Sequence, residues 1–191
     1  MQPKEPLVLS FDTAAAHCAA ALVSGDQILG EMSELITKGQ AERLIPMLEE
    51  LLAGAGKRWQ DLDLIAVGTG PGNFTGVRIS VSAARGLALS LGIPAVGVSV
   101  FEALAYGTKG FVKISRDARR GMIFSQDFVD GTATGTPMLS EDSIVSEDEF
   151  VDPANIAFCS VDKDKSISPA PLYLRPADAA LPSEMPPQML P

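Results

Sequence analysis

Along the first 107 positions, short continuous apolar runs alternate with segments whose apolar residues recur with the period of an α-helix. An apolar run at 6–12, and two segments joined by a turn at Ser24-Gly25-Asp26, predict three strands in an antiparallel meander. Residues 40–53 place their apolar side chains on one side of a helix and most of their charged side chains on the other. The chain therefore opens with a small sheet followed by an amphipathic helix.

Further along the chain, strands and helices alternate as they do in a parallel sheet. Apolar runs at 62–70 and 93–99 predict strands, and the residues at 77–91 between them predict a second long helix. A short helix at 99–107 follows, and Gly107 can terminate it. Strand, helix and strand in close succession indicate a parallel βαβ unit, so the fold class is α/β.

The pattern changes after Gly107 and becomes richer in loops. We expect a hairpin around Arg119-Arg120-Gly121, an acidic loop region at 140–153 and a further strand at 154–161. A proline-rich tail is expected to run extended over the surface.

These patterns suggest a division of the chain into two lobes and a tail. Residues 1–107 form a complete N-terminal lobe, residues 108–178 form a reduced C-terminal lobe, and residues 179–191 form a flexible proline-rich tail. No sequence repeat is visible, although a strand meander in each half would amount to a structural duplication.

Composition limits the partners and the location. The net charge is −9, and the sequence has no run of Lys and Arg that would form a basic patch. Because nucleic acid is negatively charged, the chain alone is not expected to bind it. Cys18 and Cys159 lack metal-ligand spacing and are expected to be reduced thiols. No apolar segment has the length of a signal peptide or a membrane span, which predicts a cytoplasmic protein without a membrane partner.

A glycine-rich turn, "GTGPGNFTGVR" at 68–78, precedes the second long helix. It lacks the lysine of a P-loop and the glycine spacing of a dinucleotide fingerprint. We interpret Gly70, Pro71, Gly72, Asn73 and Gly76 as a structural turn, with Asn73 or Thr75 capping the helix. An anion contact at the exposed amides of the turn stays open as an alternative.

The second long helix carries small residues where another helix could approach closely. Ser82, Gly86 and Ser90 repeat every four residues, with Ala83 beside them. Arg78 and Arg85 lie at the margin of this stripe. The stripe contacts either a partner protein or the first long helix of the same chain.

Catalytic chemistry is sparse in this sequence. His17 is its single histidine, and no Gly-x-Ser-x-Gly elbow accompanies it. Asp12 and Thr13 end the first strand, where actin-like ATPases place a phosphate-facing turn, although a turn cap is the commoner cause of such a pair. A stand-alone ATPase or kinase using Asp12 and Thr13 is the alternative to a binding role. Peptidase activity is not expected, because the sequence offers neither the metal site nor the nucleophile pair that a peptidase needs.

Three segments together resemble one protein family. They are "LSFDTA", "GTGPGNFTGVRISVSAARGLALSLGIPAVGVSVFEALA" and "PLYLRP", and they are similar to the bacterial TsaB (YeaZ) proteins of tRNA threonylcarbamoyladenosine biosynthesis. The resemblance covers residues 7–106 and 171–176, and the region at 120–165 is shorter than usual for the family. It implies an actin-like ATPase (ASKHA, ribonuclease H-like) fold of two related lobes.

The resemblance also implies a non-catalytic scaffold. TsaB pairs with its paralogue TsaD, which modifies adenosine 37 of tRNAs that read ANN codons, and the ATPase TsaE joins them. In TsaD the segment that corresponds to "VFEAL" carries two metal-binding histidines, and here these positions are Val100 and Leu104, with Glu102 between them. The scaffold would need no cofactor of its own, since ATP and the metal ion serve its partners.

The resemblance further implies how the partners meet. TsaB contributes its first two long helices, here near 40–53 and 77–91, to a helical bundle with TsaD. This places the contact on the stripe of Ser82, Ala83, Gly86 and Ser90. Without TsaD the chain is expected to be able to form a homodimer, and tRNA is expected to be reached only through the complex.

Overall fold

The computed structural model describes residues 5–118, 121–141 and 150–174. The expected turn residues Arg119 and Arg120, most of the expected acidic loop and the proline-rich tail lie outside these described residues.

The strands in chain order are β1 (Leu7–Asp12), β2 (His17–Ser24), β3 (Gln27–Leu35), β4 (Leu64–Gly68), β5 (Ala95–Val98), β6 (Phe111–Asp117), β7 (Ile123–Val129), β8 (Thr132–Ala133) and β9 (Met138–Ser140). The α-helices are α1 (Gln40–Gly54), α2 (Phe74–Leu91), α3 (Val100–Ala105) and α4 (Pro153–Ser160), and a short 3-10 turn covers Trp59–Asp61. The predicted meander, both long helices and the short third helix are therefore confirmed, with bounds shifted by a few residues.

The first sheet has the strand order β3-β2-β1-β4-β5. β1 pairs antiparallel with β2 and parallel with β4, and β4 pairs parallel with β5. Successive side chains of a strand point to opposite faces of its sheet, so β1 supplies Leu9 and Phe11 to one core and Val8 to another. Helices α1 and α2 cover the first of these cores, and α3 and α4 cover the second.

The expected strand at 154–161 is wrong, because Pro153–Ser160 forms helix α4. Asp152 caps it, accepting a hydrogen bond from the backbone N–H of Ala154 at 2.8 Å, and Pro153 fits the first helical turn, which needs no backbone donor. The hydroxyl of Ser10 on β1 donates to the carbonyl of Pro153 at 2.6 Å. Helix α4 thus packs on the first sheet, although it belongs to the second half of the sequence, and the boundary near residue 107 stays a prediction.

The second sheet is smaller and antiparallel. β6 and β7 form the expected hairpin, and β8 and β9 pair with β7. A third core, around Phe101 and Phe128, joins this sheet to α3. The segment at 169–174 connects both parts of the fold: Pro169 lies near Gly97 of β5, Leu172 donates its N–H to the carbonyl of Thr69 at 2.8 Å, and Leu174 packs on the third core.

Candidate partner-binding face

The glycine-rich turn brings α2 into close contact with the loop after β1. Gly70 has a φ of 82°, in the left-handed region where glycine is favoured. A Cβ on Gly72 would lie under 3.0 Å from Ala14, and one on Gly76 would collide with the carbonyl of Thr13. These glycines leave room for the protein backbone of the loop after β1, which packs directly against the turn.

The first turn of α2 is also held by polar contacts within the chain. Asn73 caps the helix, its side-chain oxygen accepting from the N–H groups of Thr75 and Gly76 at 3.0 Å each. The hydroxyl of Thr13 donates to the carbonyl of Gly76 at 2.7 Å. Of the two cap residues that the sequence allowed, the structure selects Asn73.

The polar residues that end β1 are buried. Asp12 and His17 are each 1% exposed, and Thr13 is fully buried. One carboxylate oxygen of Asp12 accepts from the Ala14 N–H and from His17 Nε2, both at 2.9 Å. The ring of Phe150 covers His17 edge to face, with 5.1 Å between ring centroids. The Asp12-Thr13 pair is therefore closed off from solvent by the chain itself.

The segment from Val100 to Leu104 is part of the core. Val100 is buried and Leu104 packs beside it. Glu102 forms a capping box at the start of α3, accepting from Ser99 N at 2.8 Å, and Lys163 Nζ donates to its other oxygen at 2.5 Å. Within the described ranges, no cluster of three or more His, Cys, Asp or Glu side chains is arranged to hold a metal ion.

The contact between Glu102 and Lys163 predicts a pH dependence of stability. Burial raises the pKa of Glu102, but the hydrogen bonds from Lys163 and Ser99 outweigh burial and leave the pKa below its usual 4.5. A carboxyl group with a lowered pKa stabilises the fold above its unfolded pKa, and this stability is lost as the pH falls through the folded pKa.

We expect Glu102→Gln to lower the free energy of unfolding at neutral pH by about 1 kcal/mol, since part of the side chain reaches solvent and weakens the ion pair. Below about pH 4.5 the difference from wild type should shrink. Urea unfolding at several pH values checks this, with the exposed Glu141 changed to Gln as control. An unchanged difference across the acidic range would contradict the prediction.

The predicted stripe on α2 is open to solvent along most of its length. Ser82, Gly86 and Ser90 are exposed, whereas Ala83 is half-buried and packs towards the core under α1 and α2. A Cβ on Gly86 would meet no atom within 4 Å. Of the two interpretations of the stripe, packing against the first helix of the same chain accounts for Ala83 but leaves the other three residues uncovered.

Sequence reasoning missed two features of this helix. Leu89 is 86% exposed and adds apolar area to the solvent side of the helix. Arg78 is fixed in place: its guanidinium carbon lies 3.7 Å from the Phe74 ring centroid, and its Nε donates to the Tyr173 hydroxyl at 2.8 Å. The contact of Arg78 with Phe74 could have been predicted, because residues four apart on a helix are neighbours. The sequence carries no signal for the contact of Arg78 with Tyr173.

Helix α1 continues the same exposed surface. Its first turn shares a cleft of about 290 Å³ with the first turn of α2. We call the joint surface the α1–α2 face, defined by the exposed residues Glu42, Ile45, Glu49, Arg78, Ser82, Arg85, Gly86, Leu89 and Ser90. It combines apolar, small and charged side chains, as protein interfaces do.

The protein is an α/β protein of the actin-like ATPase fold, with a mixed five-stranded first sheet. A protein of Pseudomonas aeruginosa with similarity to peptidase YeaZ superposes with a TM-score of 0.73 at 24% identity, covering 89% of this chain and 100% of that one. YeaZ from Pseudomonas aeruginosa gives a TM-score of 0.63 at 30% identity, over 76% of this chain and 71% of that one.

Sequence comparison gives the family. The family model of TsaD, tRNA N6-adenosine threonylcarbamoyltransferase, matches residues 27–167. The tRNA threonylcarbamoyladenosine biosynthesis protein TsaB of Escherichia coli is 34% identical over 126 residues, which make up 63% of this chain and 54% of that protein. The chain belongs to the TsaD family, and its relatives place it with the TsaB (YeaZ) proteins. It spans about half the length of the curated relatives it matches. None of its described helices is long and apolar enough to cross a membrane.

Proposed function

We propose that the chain is a non-catalytic scaffold subunit in the formation of threonylcarbamoyladenosine at position 37 of tRNAs that read ANN codons. It dimerises through the α1–α2 face with a TsaD-like paralogue, which performs the transfer, and a TsaE-like ATPase joins the pair. ATP and a metal ion serve these partners, and tRNA is reached through the complex in the cytoplasm.

The observation that carries this proposal is the burial of the polar groups that end β1. An actin-like ATPase needs its carboxylate at this edge of the sheet to reach bound nucleotide and metal. Here Asp12 is 1% exposed, and its hydrogen bonds go to His17 and to the backbone of Ala14. The hydroxyl of Thr13 likewise donates its hydrogen bond to the carbonyl of Gly76. These residues serve the fold, which supports a binding role over the alternative of a stand-alone ATPase or kinase.

The open α1–α2 face supports the second half of the proposal. A long helix whose Gly86 and Leu89 are exposed, with no described element of the chain over them, offers both close approach and apolar area to another helix. The name of the Escherichia coli relative supports the pathway.

Reconstitution of the tRNA modification tests the proposal. We expect modification by the TsaD-like and TsaE-like partners to require this chain, and Asp12→Asn to support the wild-type rate once its concentration is corrected for folding. The chain alone should hydrolyse ATP no faster than a buffer control. A turnover of ATP by the purified chain that Asp12→Asn abolishes would instead establish the ATPase, and modification at full rate without the chain would remove the scaffold role.

A further inference from the structure

We propose that the segment at 175–191, which follows Leu174 and lies outside the described residues, binds along α2 of its own chain and competes there with the partner protein. The contact runs along a row of exposed side chains, here called the α2 row, formed by Phe74, Arg78, Arg85 and Leu89. The competition rests on the proposed function, because both occupants use the α1–α2 face, whereas the binding of the segment has a test of its own.

The α2 row lies on one side of the helix. At about 100° per residue, its four members fall within a sector about 60° wide. Phe74 and Leu89, at the two ends of the row, are 45% and 86% exposed. Helix α2 has no acidic residue, and no carboxylate of the described residues lies within ion-pair distance of Arg78 or Arg85. The row thus offers apolar area at both ends and two guanidinium groups between them that can receive a carboxylate.

The residues just before the segment already bind to the start of the row. Leu172 is hydrogen-bonded through its N–H to the glycine-rich turn. The ring centroid of Tyr173 lies 5.4 Å from that of Phe74, and its hydroxyl accepts a hydrogen bond from Arg78 Nε at 2.8 Å. The segment therefore begins beside the first turn of α2, and the rest of the row extends from there towards the end of the helix.

An acidic residue of the segment matches a basic residue of the row in spacing. A proline-rich strand in the polyproline II conformation advances about 3.1 Å per residue, and an α-helix rises about 1.5 Å. From Tyr173, Asp178 lies about 15 Å along such a strand. From Phe74, which Tyr173 contacts, Arg85 lies about 16 Å along the helix. A segment that runs along α2 therefore brings the Asp178 carboxylate to the Arg85 guanidinium.

The next apolar residue of the segment follows the same spacing. Leu181 lies about 9 Å beyond Asp178 along the strand. Leu89 lies about 6 Å beyond Arg85 along the helix, so the two leucines meet and the exposed area of Leu89 is covered. Five prolines, at positions 176, 182, 186, 187 and 191, restrict the unbound segment and reduce the conformational entropy that binding costs.

Binding of the segment lowers the affinity for the partner. The contact is intramolecular, and a short connection gives an effective concentration of about millimolar, so a weak contact is enough to fill the row. A segment that occupies the row about nine-tenths of the time leaves one-tenth of the chains open and weakens partner binding about tenfold.

NMR spectroscopy of the full chain tests the contact. We expect a methyl–methyl NOE between Leu89 and Leu181. Asp178→Arg should weaken this NOE several-fold, because it sets like charges against each other, and Asp178→Arg/Arg85→Asp should restore it. The matched control is Glu184→Arg, which makes the same charge change about 19 Å further along the strand, past the end of α2, and should leave the NOE unchanged. A wild-type chain without this NOE would overturn the inference.

Calorimetric titration with the TsaD-like partner tests the competition. We expect Leu181→Asp to bind the partner about tenfold more tightly than wild type does, because the segment then leaves the row open. Leu190→Asp, the same change in a later part of the segment, should bind as wild type does. Equal affinity of both variants in the presence of the NOE would support the segment on α2 and overturn the partner's use of the α1–α2 face. Partner binding by a chain that lacks the NOE would overturn the inference and leave the proposed function standing.

Discussion

Replacing Gly76 with alanine is expected to lower the free energy of unfolding by about 3 kcal/mol, a drop of roughly 10 °C in melting temperature for a domain of this size. The added Cβ would collide with the carbonyl of Thr13. That carbonyl belongs to backbone held in place by buried β1, and it cannot rotate away as a side-chain tip would. Thermal and urea unfolding of the purified variant measure the loss.

Gly86 supplies the matched control, because it lies on the same helix with no atom within 4 Å of an added Cβ. Gly86→Ala should stabilise the chain by about 0.5–1 kcal/mol, since alanine is the better helix former. If both variants gained stability, Gly76 would not be held by close packing, and the contact between α2 and the loop after β1 would be looser than the structure has it.

The two glycines illustrate what the sequence could and could not predict. Local patterns gave the turn, the helix and its cap, because these depend on residues a few positions apart. The sequence could not tell that Gly76 meets backbone and Gly86 meets solvent. That difference depends on the loop after β1, which lies more than 60 residues earlier in the chain.

Helix α4 shows a different limit. Its apolar residues form a short run, and periodicity alone does not separate a buried helix from a buried strand at this length. The pair Asp152-Pro153 was a usable signal, since aspartate at the cap and proline in the first turn mark the start of a helix. From that signal the helix could be predicted. Its packing on the first sheet could not be predicted, because its position in the sequence suggested the second lobe.

The buried groups at the end of β1 show why the site was only partly predictable. The sequence identified Asp12, Thr13 and His17 as the polar residues to consider, and it gave alternatives for their role. Their surroundings depend on distant parts of the chain: Phe150, more than 130 residues later, covers the His17 ring, and Thr13 donates to the carbonyl of Gly76. One carboxylate oxygen of Asp12 is bound to Ala14 and His17, whereas its Oδ1 and the Nδ1 of His17 are buried with no hydrogen-bond partner among the described residues.

Gly86→Leu should strongly weaken binding of the TsaD-like partner while leaving this chain folded. Gly86 is exposed on α2, and a leucine there would project into the space that a closely packed helix needs, so we expect a loss of about 3 kcal/mol, roughly a hundredfold in Kd. The melting temperature should stay equal to or above that of wild type, because leucine favours the helix over glycine.

Co-purification and calorimetric titration with the TsaD-like partner measure this effect. Gly86→Ala should bind nearly as wild type does, since a methyl group still permits close approach, and Lys109→Leu controls for an added exposed leucine elsewhere. The comparison separates interface from fold: Gly76→Ala should lower stability with little effect on binding by the folded chain, whereas Gly86→Leu should weaken binding without lowering stability. Full binding by Gly86→Leu would move the contact away from the α1–α2 face and leave the exposed Leu89 without a role in the complex.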